Sequence, residues 1–168
     1  MGLAEWPEFR PEELLRRLVA GQVDFVVVGG IAAVVHGSAA ITRDLDITCA
    51  PDAANLDRLG QVLVDLDARL RGVAEDVPFV PDGRTLRHTR VLTLATPDGA
   101  IDLLVQPDGS PSYAHLRSRA WRADVAGVQV LVASLDDLIA MKKAAGRPKD
   151  LVAVEELEAI KRLQRELS

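Results

Sequence analysis

The residues whose types and spacing could do chemistry begin with Asp44 and Asp46, an Asp-Leu-Asp triplet inside DLDITC. On a β-strand, residues i and i+2 face the same way, which puts these two Cα atoms about 7 Å apart on one face. Leu45 and Ile47 then point into a core. Two ionised carboxylates so close repel each other unless a cation lies beside them. A bare triplet of this kind also describes the polar outer face of an edge strand. Asp102 stands alone in AIDLLV. A charge in such a run is not left buried and unpaired, so it faces solvent or a functional cavity. If its strand lies beside DLDITC, three carboxylates converge. Gly29-Gly30 end the apolar run VDFVVV, and a short helix follows. Glycines let a backbone approach a ligand closely, and free N–H groups at a helix start favour phosphate. An ordinary tight turn has the same residues. Together, three carboxylates beside such a turn suit two hard divalent cations and a polyphosphate. Mg²⁺ prefers carboxylate oxygens plus substrate phosphates. Two such ions can stabilise the attacking and leaving oxygens of an in-line displacement.

Basic residues near the C-terminus extend the pattern. Ser134-Leu-Asp-Asp137 has the form of a capping box, so a helix should begin there. Leu135, Leu138 and Ile139 mark its apolar face, and Lys142 falls on that same face. Such a lysine either snorkels to solvent or aims its charge at a phosphate. Arg147 and Lys149 flank Pro148 and either join a positive lip or stand in solvent. His36, His88 and His115 have no metal-ligand spacing. His36 reads as a capping or core residue, and Cys49, without an evident His partner, as a core thiol.

The elements that must position these residues alternate along the chain. Apolar spacing predicts a helix over 11–20, a buried strand over 23–28, a short helix over 31–35 and a strand over 44–49. A longer helix is expected over 51–70, where Leu56, Leu59, Leu63, Leu66 and Leu70 form one stripe. Residues 90–96 and 100–105 read as a hairpin around Pro97-Asp98-Gly99. A helix near 111–120, a strand pair near 121–132 and two final helices follow. The expected fold class is α/β (α+β), a mixed sheet with flanking helices, in one domain over 1–168.

Composition bounds the function. The chain has 168 residues, 48% hydrophobic and 27% charged, with a formal net charge of −5. It is too apolar for a disordered chain and needs no disulfide or metal staple to fold. No run is long enough for a membrane helix and the N-terminus has no signal-peptide core, so a cytoplasmic protein is expected. The acidic balance and six aromatic residues argue against indiscriminate nucleic-acid binding. Charge is uneven: residues 1–84 carry a net −6, and residues 85–168 a net +1. From Arg84 to Arg122 six arginines face three aspartates, so a polyanion could meet one face.

Gly29-Gly30, a short helix, Asp44-Leu-Asp46 and the later Asp102 resemble the signature of the nucleotidyltransferase superfamily, with its polymerase β-like fold. The fuller pattern GGIAAVVHG…TRDLDI with the later MKKAAGRPKDL is similar to the AbiEii/MenT-type branch, whose members often serve as toxins of toxin–antitoxin pairs. The resemblance runs from about residue 12 to 160. It implies that Asp44, Asp46 and Asp102 bind Mg²⁺ or Mn²⁺, and that Asp102 serves as general base. It implies that Gly29 and Gly30 cradle the triphosphate, with Thr42, Arg43, Lys142 and Arg147 also on the nucleotide. Lys142 matches the branch's motif lysine, with Arg147 and Asp150 beside it. The superfamily often has Ser where this chain has Gly30, so Ser38 or Thr42 would have to supply that hydroxyl. Ala153 stands where the branch often has Asp.

The expected activity is transfer of a nucleoside monophosphate from an NTP to an acceptor hydroxyl. A tRNA acceptor and an antitoxin protein partner are the implied company. A chain of this length leaves the acceptor to dock on the rim of the core or on a second subunit. Two other readings share the motifs: an inactive binding module of the same fold, and an antibiotic-modifying nucleotidyltransferase.

Overall fold

A computed structural model describes residues 8–73, 79–105 and 109–168. Helix α1 (Pro11–Ala20) starts with Pro11 in its first turn and has Glu12 and Glu13 near its positive end. Strand β1 (Phe25–Val28) is buried throughout and leads directly into α2 (Gly29–Val35). A loop then delivers β2 (Asp44–Cys49). Helix α3 (Ala53–Asp65) is capped by Asp52, whose side chain accepts from the Asn55 N–H. Such a cap contributes about 1 kcal/mol. Then come β3 (Arg69–Leu70), α4 (Gly83–Arg87), β4 (Val91–Thr96) and β5 (Gly99–Leu104). The chain finishes with α5 (Tyr113–Arg119), β6 (Trp121–Val125), β7 (Val128–Val132), α6 (Leu135–Ala145) and α7 (Pro148–Glu166).

The strands form one seven-stranded mixed sheet in the order β3-β4-β5-β2-β1-β7-β6. Strand β2 runs antiparallel to β1 and parallel to β5. Its alternation is the expected one: Leu45 and Ile47 are buried, as are Ile101 and Leu103 of β5. These four meet Leu14, Leu15 and Leu18 of α1 and Leu56, Leu59 and Leu63 of α3 in one core. The opposite face of β2 and β5 keeps Asp44, Asp46 and Asp102 only partly covered. The α/β expectation therefore holds.

Two local expectations change. The helix expected over 51–70 ends at Asp65. Asp67 adopts the left-handed region with φ 51°, and the chain turns into β3. The apolar stripe continues through Leu66 and Leu70, but a turn and a strand supply those residues. Helix α4 falls between 71 and 89, where the sequence pattern names no element. At α6 the Ser134 hydroxyl accepts from the Asp137 N–H at 3.2 Å. The Asp137 carboxylate turns instead to His115 at 3.0 Å and Arg119 at 3.5 Å, so the box is only half formed.

The arginine-rich stretch does not make one face. Arg90 leads into β4 and Arg122 lies in β6, with β5, β2, β1 and β7 between those strands. Arg119 is paired with Asp136 and Asp137. Asp108 lies outside the described residues, as do residues 1–7 of the N-terminus. Among the described residues no helix is long and apolar enough to cross a membrane.

Candidate active site

The site is a transverse row across the sheet. Val28 pairs with Asp46, Asp46 with Asp102, and Asp102 with Thr93. The row ends at the edge, where the Arg71 N–H donates to the Thr93 carbonyl at 3.0 Å. Asp44 sits two residues before Asp46 on the same face, opposite Ala100. The parallel β2–β5 pairing thus brings Asp102, 56 positions from Asp46 in the chain, alongside it.

Gly29 closes the other end of the row. Its φ is +66°, where side chains are strained, and a Cβ placed there would lie 1.9 Å from the Asp46 Oδ2. The missing side chain is what lets Asp46 lie against the turn. At Gly30 a Cβ would lie 2.8 Å from the Thr42 Oγ1. The Thr42 hydroxyl donates to the Asp44 carbonyl at 3.1 Å, which ties the loop to the start of β2. Ser38, the other hydroxyl considered for this role, donates to Glu156 of α7. Arg43 is exposed in the loop before β2.

The electrostatics follow from crowding. Burial, then the charges of Asp102 and Asp44, push the Asp46 carboxyl up to about 7. The contact between the two carboxyls raises Asp46 further and lowers Asp102. Lys142 pulls in the other direction. Burial also raises Asp102, against the opposing charge of Arg71. The Arg71 guanidinium bridges the outer carboxylates, 3.0 Å from the Asp102 Oδ1 and 3.4 Å from the Asp44 Oδ1. Arg71 has no counterpart among the sequence-derived candidates. It directly follows the stretch 51–70 whose periodicity reads as helix, and only the pairing of β3 with β4 aims it here.

Lys142 and Arg147 belong to a second cluster. Asp150 is 1% exposed and receives the Lys142 Nζ at 3.4 Å and the Arg147 Nε at 2.6 Å. It also accepts from the Arg147 backbone N–H at 3.2 Å, which caps α7. The hydrogen bond from Arg147 holds the Asp150 carboxyl below its ordinary range. Lys142 sits between the clusters, since its charge is felt at both Asp46 and Asp150.

His36 and Cys49 are both buried. The His36 ring bonds the Ala133 carbonyl at 2.8 Å and packs tilted against Trp121, centroids 4.5 Å apart. Cys49 is buried, and burial pushes its thiol up to about 12. A surface cavity of about 170 Å³ lined by Val19, Asp24, Tyr113 and Arg117 lies at the opposite end of β1 from Gly29.

The donor set fits a hard divalent ion: three carboxylates on one face, one of them raised by burial and by a repulsion that a cation would relieve. As they stand, no three His, Cys, Asp or Glu side chains among the described residues gather at ligand spacing. The Arg71 guanidinium spans two of these carboxylates.

Solved structures share this fold. The lincomycin-bound lincosamide antibiotic adenylyltransferase LnuA is 16% identical, with a TM-score of 0.59 over 91% of this chain and 99% of its own. The antibiotic-resistance factor ANT(2″)-Ia, in complex with adenylyl-2″-tobramycin, is 15% identical with a TM-score of 0.53, over 93% and 95%. A candidate nucleotidyltransferase from Thermotoga maritima is 17% identical with a TM-score of 0.52, over 98% and 99%. At such identities the likeness is one of fold. No curated protein matches the sequence. The family model for nucleotidyltransferases of unknown function (DUF6036) matches residues 12–167, and the chain belongs to that nucleotidyltransferase family.

Proposed function

We propose that this protein transfers a nucleoside monophosphate from an NTP to an acceptor hydroxyl, releasing pyrophosphate. One observation carries the reading: Asp46 and Asp102 in register on adjacent parallel strands, with Asp44 beside them and Gly29 against Asp46. In a chain of a nucleotidyltransferase family, that row is the natural seat of phosphoryl chemistry. Asp44, Asp46 and Asp102 would hold Mg²⁺ or Mn²⁺. When bound, the ion supplies positive charge to the phosphate oxygens on which negative charge builds.

The chain's own residues supply positioning. Gly29 and Gly30 carry no side chain of their own, so Asp46 and Thr42 lie against the turn and the triphosphate would meet backbone beside them. Thr42 brings its hydroxyl beside Gly30, where the superfamily's serine would stand. Lys142, held by Asp150, points its charge into the same region as Asp46. Asp102 takes the proton of the acceptor hydroxyl as its oxygen bonds to the α-phosphorus. The bond from that phosphorus to the bridging oxygen breaks, and pyrophosphate leaves with the electron pair.

Two acceptor readings follow from different observations. The Lys142–Arg147–Asp150 cluster coincides with the motif MKKAAGRPKDL, which supports the toxin branch, with tRNA as acceptor and an antitoxin protein as partner. The separation of Arg90 and Arg122 by the four strands between β4 and β6 favours a small-molecule hydroxyl over an extended polyanion.

The test is to incubate the protein with each α-labelled NTP and Mg²⁺ in three arms: total RNA, a panel of hydroxyl-bearing antibiotics, and cell extract. Asp46→Asn runs alongside. Label transferred by the wild type and lost in Asp46→Asn supports the reading, and the labelled arm names the acceptor. Equal transfer by both proteins would remove Asp46 from the mechanism. No transfer in any arm would leave a nucleotide-binding module of the same fold.

A further inference from the structure

Three paired cations among the described residues, Arg71, Lys142 and Arg147, differ in what holds them. Lys142 and Arg147 are paired with Asp150, a buried carboxylate outside the row. Arg71 is paired with Asp44 and Asp102 themselves. A divalent ion on the row would compete with Arg71 for the same oxygens and would leave the Asp150 cluster intact. Arg71 is thus the cation that ion binding would set free.

Its surroundings allow the exchange. The Arg71 side chain is about one-third exposed, so it reaches the carboxylates from the edge of the sheet. Its backbone is anchored by the bond to Thr93, so the side chain can swing without disturbing the ladder. Gly72 follows with φ +82° and open space around it. A freed guanidinium stays within one side-chain length of the row. Its planar fork of donors matches phosphate oxygens two at a time, which an ammonium cannot do.

We propose that Arg71 is an exchangeable counter-cation: it holds Asp44 and Asp102 together when no divalent ion is bound, and passes to the triphosphate of the NTP when one is. The proposal rests on the carboxylate row being the ion and NTP site. It assigns Arg71 opposite effects on the two ligands, a sign change that a merely structural residue would not produce.

The experiment is titration calorimetry on EDTA-stripped protein, first with Mn²⁺ alone, then with a non-hydrolysable NTP analogue at saturating Mn²⁺. Wild type, Arg71→Ala and Arg71→Lys are compared, with thermal melting in EDTA as a check of folding. Arg71→Ala should bind Mn²⁺ about tenfold tighter and the analogue about tenfold weaker, each a shift that one charged contact can supply. Arg71→Lys keeps the charge but not the fork, and should lie between the two. In EDTA, Arg71→Ala should melt below wild type, and Mn²⁺ should raise its melting point more. If Arg71→Ala binds Mn²⁺ within twofold of wild type or more weakly, or keeps full analogue affinity, the exchange is wrong while the carboxylate site stands. If Arg71→Ala does not fold, Arg71→Lys decides by the same two signs. If neither wild type nor Arg71→Ala binds Mn²⁺, the carboxylate reading falls and takes the exchange with it.

Discussion

Asp46 and Asp150 are the same residue type in two neighbouring regions, and Lys142 acts on both. Their proton affinities move in opposite directions. Asp150 is almost wholly covered, yet it has Arg147, Lys142 and a backbone N–H as partners, and its carboxyl is lowered. Asp46 is only half-buried, yet its nearest neighbours are Asp102 and Asp44, and its carboxyl is raised to about 7. At Asp46 burial acts first and the like charges of Asp102 and Asp44 add to it; at Asp150 the hydrogen bond from Arg147 outweighs burial. A carboxylate whose partners are complete is architecture. One placed among like charges is held in an unfavourable state that a ligand can relieve.

The sharpest way to break this comparison is Asp46→Asn. Nucleotidyl transfer should fall on the order of 10²–10³-fold, as when one stabilising group is removed from a charge-building transition state. The same variant in EDTA should gain stability at pH 8, because an unrelieved repulsion is gone. A variant that loses both activity and stability would make Asp46 architectural, like Asp150.

Next in size is Gly29→Ala. The new Cβ would strike the Asp46 carboxylate and the residue would sit at φ +66°, so about 1–3 kcal/mol of stability should be lost. Chemical denaturation measures this. A cost near zero would mean that the turn and Asp46 are not in contact.

Asp150→Asn should destabilise the metal-free protein by about 2 kcal/mol, the order of hydrogen bonds to a charged group. Arg147 and Lys142 are partly exposed and can find water, which limits the loss. The two carboxylates should also carve opposite pH profiles. For Asp46 the folded state binds a proton that the unfolded chain has already released, so stability falls as pH rises from about 4 to about 7. For Asp150 the contribution is present above its unfolded pKa and is lost as pH falls through its lowered folded value. Melting curves from pH 3 to 8 should flatten on the neutral side in Asp46→Asn and on the acid side in Asp150→Asn. Exchange of those two patterns would overturn the assignment.

The smallest effect sharpens the role of Lys142. Its neighbour Lys143 makes only an exposed pair with Glu158 at 3.6 Å, so Lys143→Ala should stay within about 0.5 kcal/mol and keep wild-type transfer. Lys142→Ala should lower transfer while melting close to Lys143→Ala. Equal activity in the two variants would place Lys142 outside the chemistry.

Much of this arrangement is legible from residues alone. The alternation in DLDITC puts Asp44 and Asp46 on one face because side chains on a strand repeat every two residues, and Leu45 and Ile47 do fill the core. The lone Asp102 in an apolar run points to a second strand face in the same way. Gly29 and Gly30 mark a turn where nothing else would fit. Other features were hidden because their signal is not local. Strand β3 is two residues long, too short for any period, and the leucine stripe of α3 runs straight into it. Arg71 follows that strand and is drawn to the row only by pairing with β4. The half-formed capping box at Ser134 has the same cause, since Asp137 serves His115 and Arg119 from another element. The arginines of 84–122 form a band in sequence and two separate groups in space, because the chain crosses the sheet between them.

The sequence by itself determined the strand faces, the glycine turn and the fold class, since these depend on periodicities and conformational limits that each segment carries alone. Tertiary structure decided which carboxylates became neighbours, which cation each received, and so which is stable and which is strained. Those outcomes depend on register between strands and on packing between helices far apart in the chain. Interaction energies between charges are set by distances of a few ångströms, which no local pattern encodes.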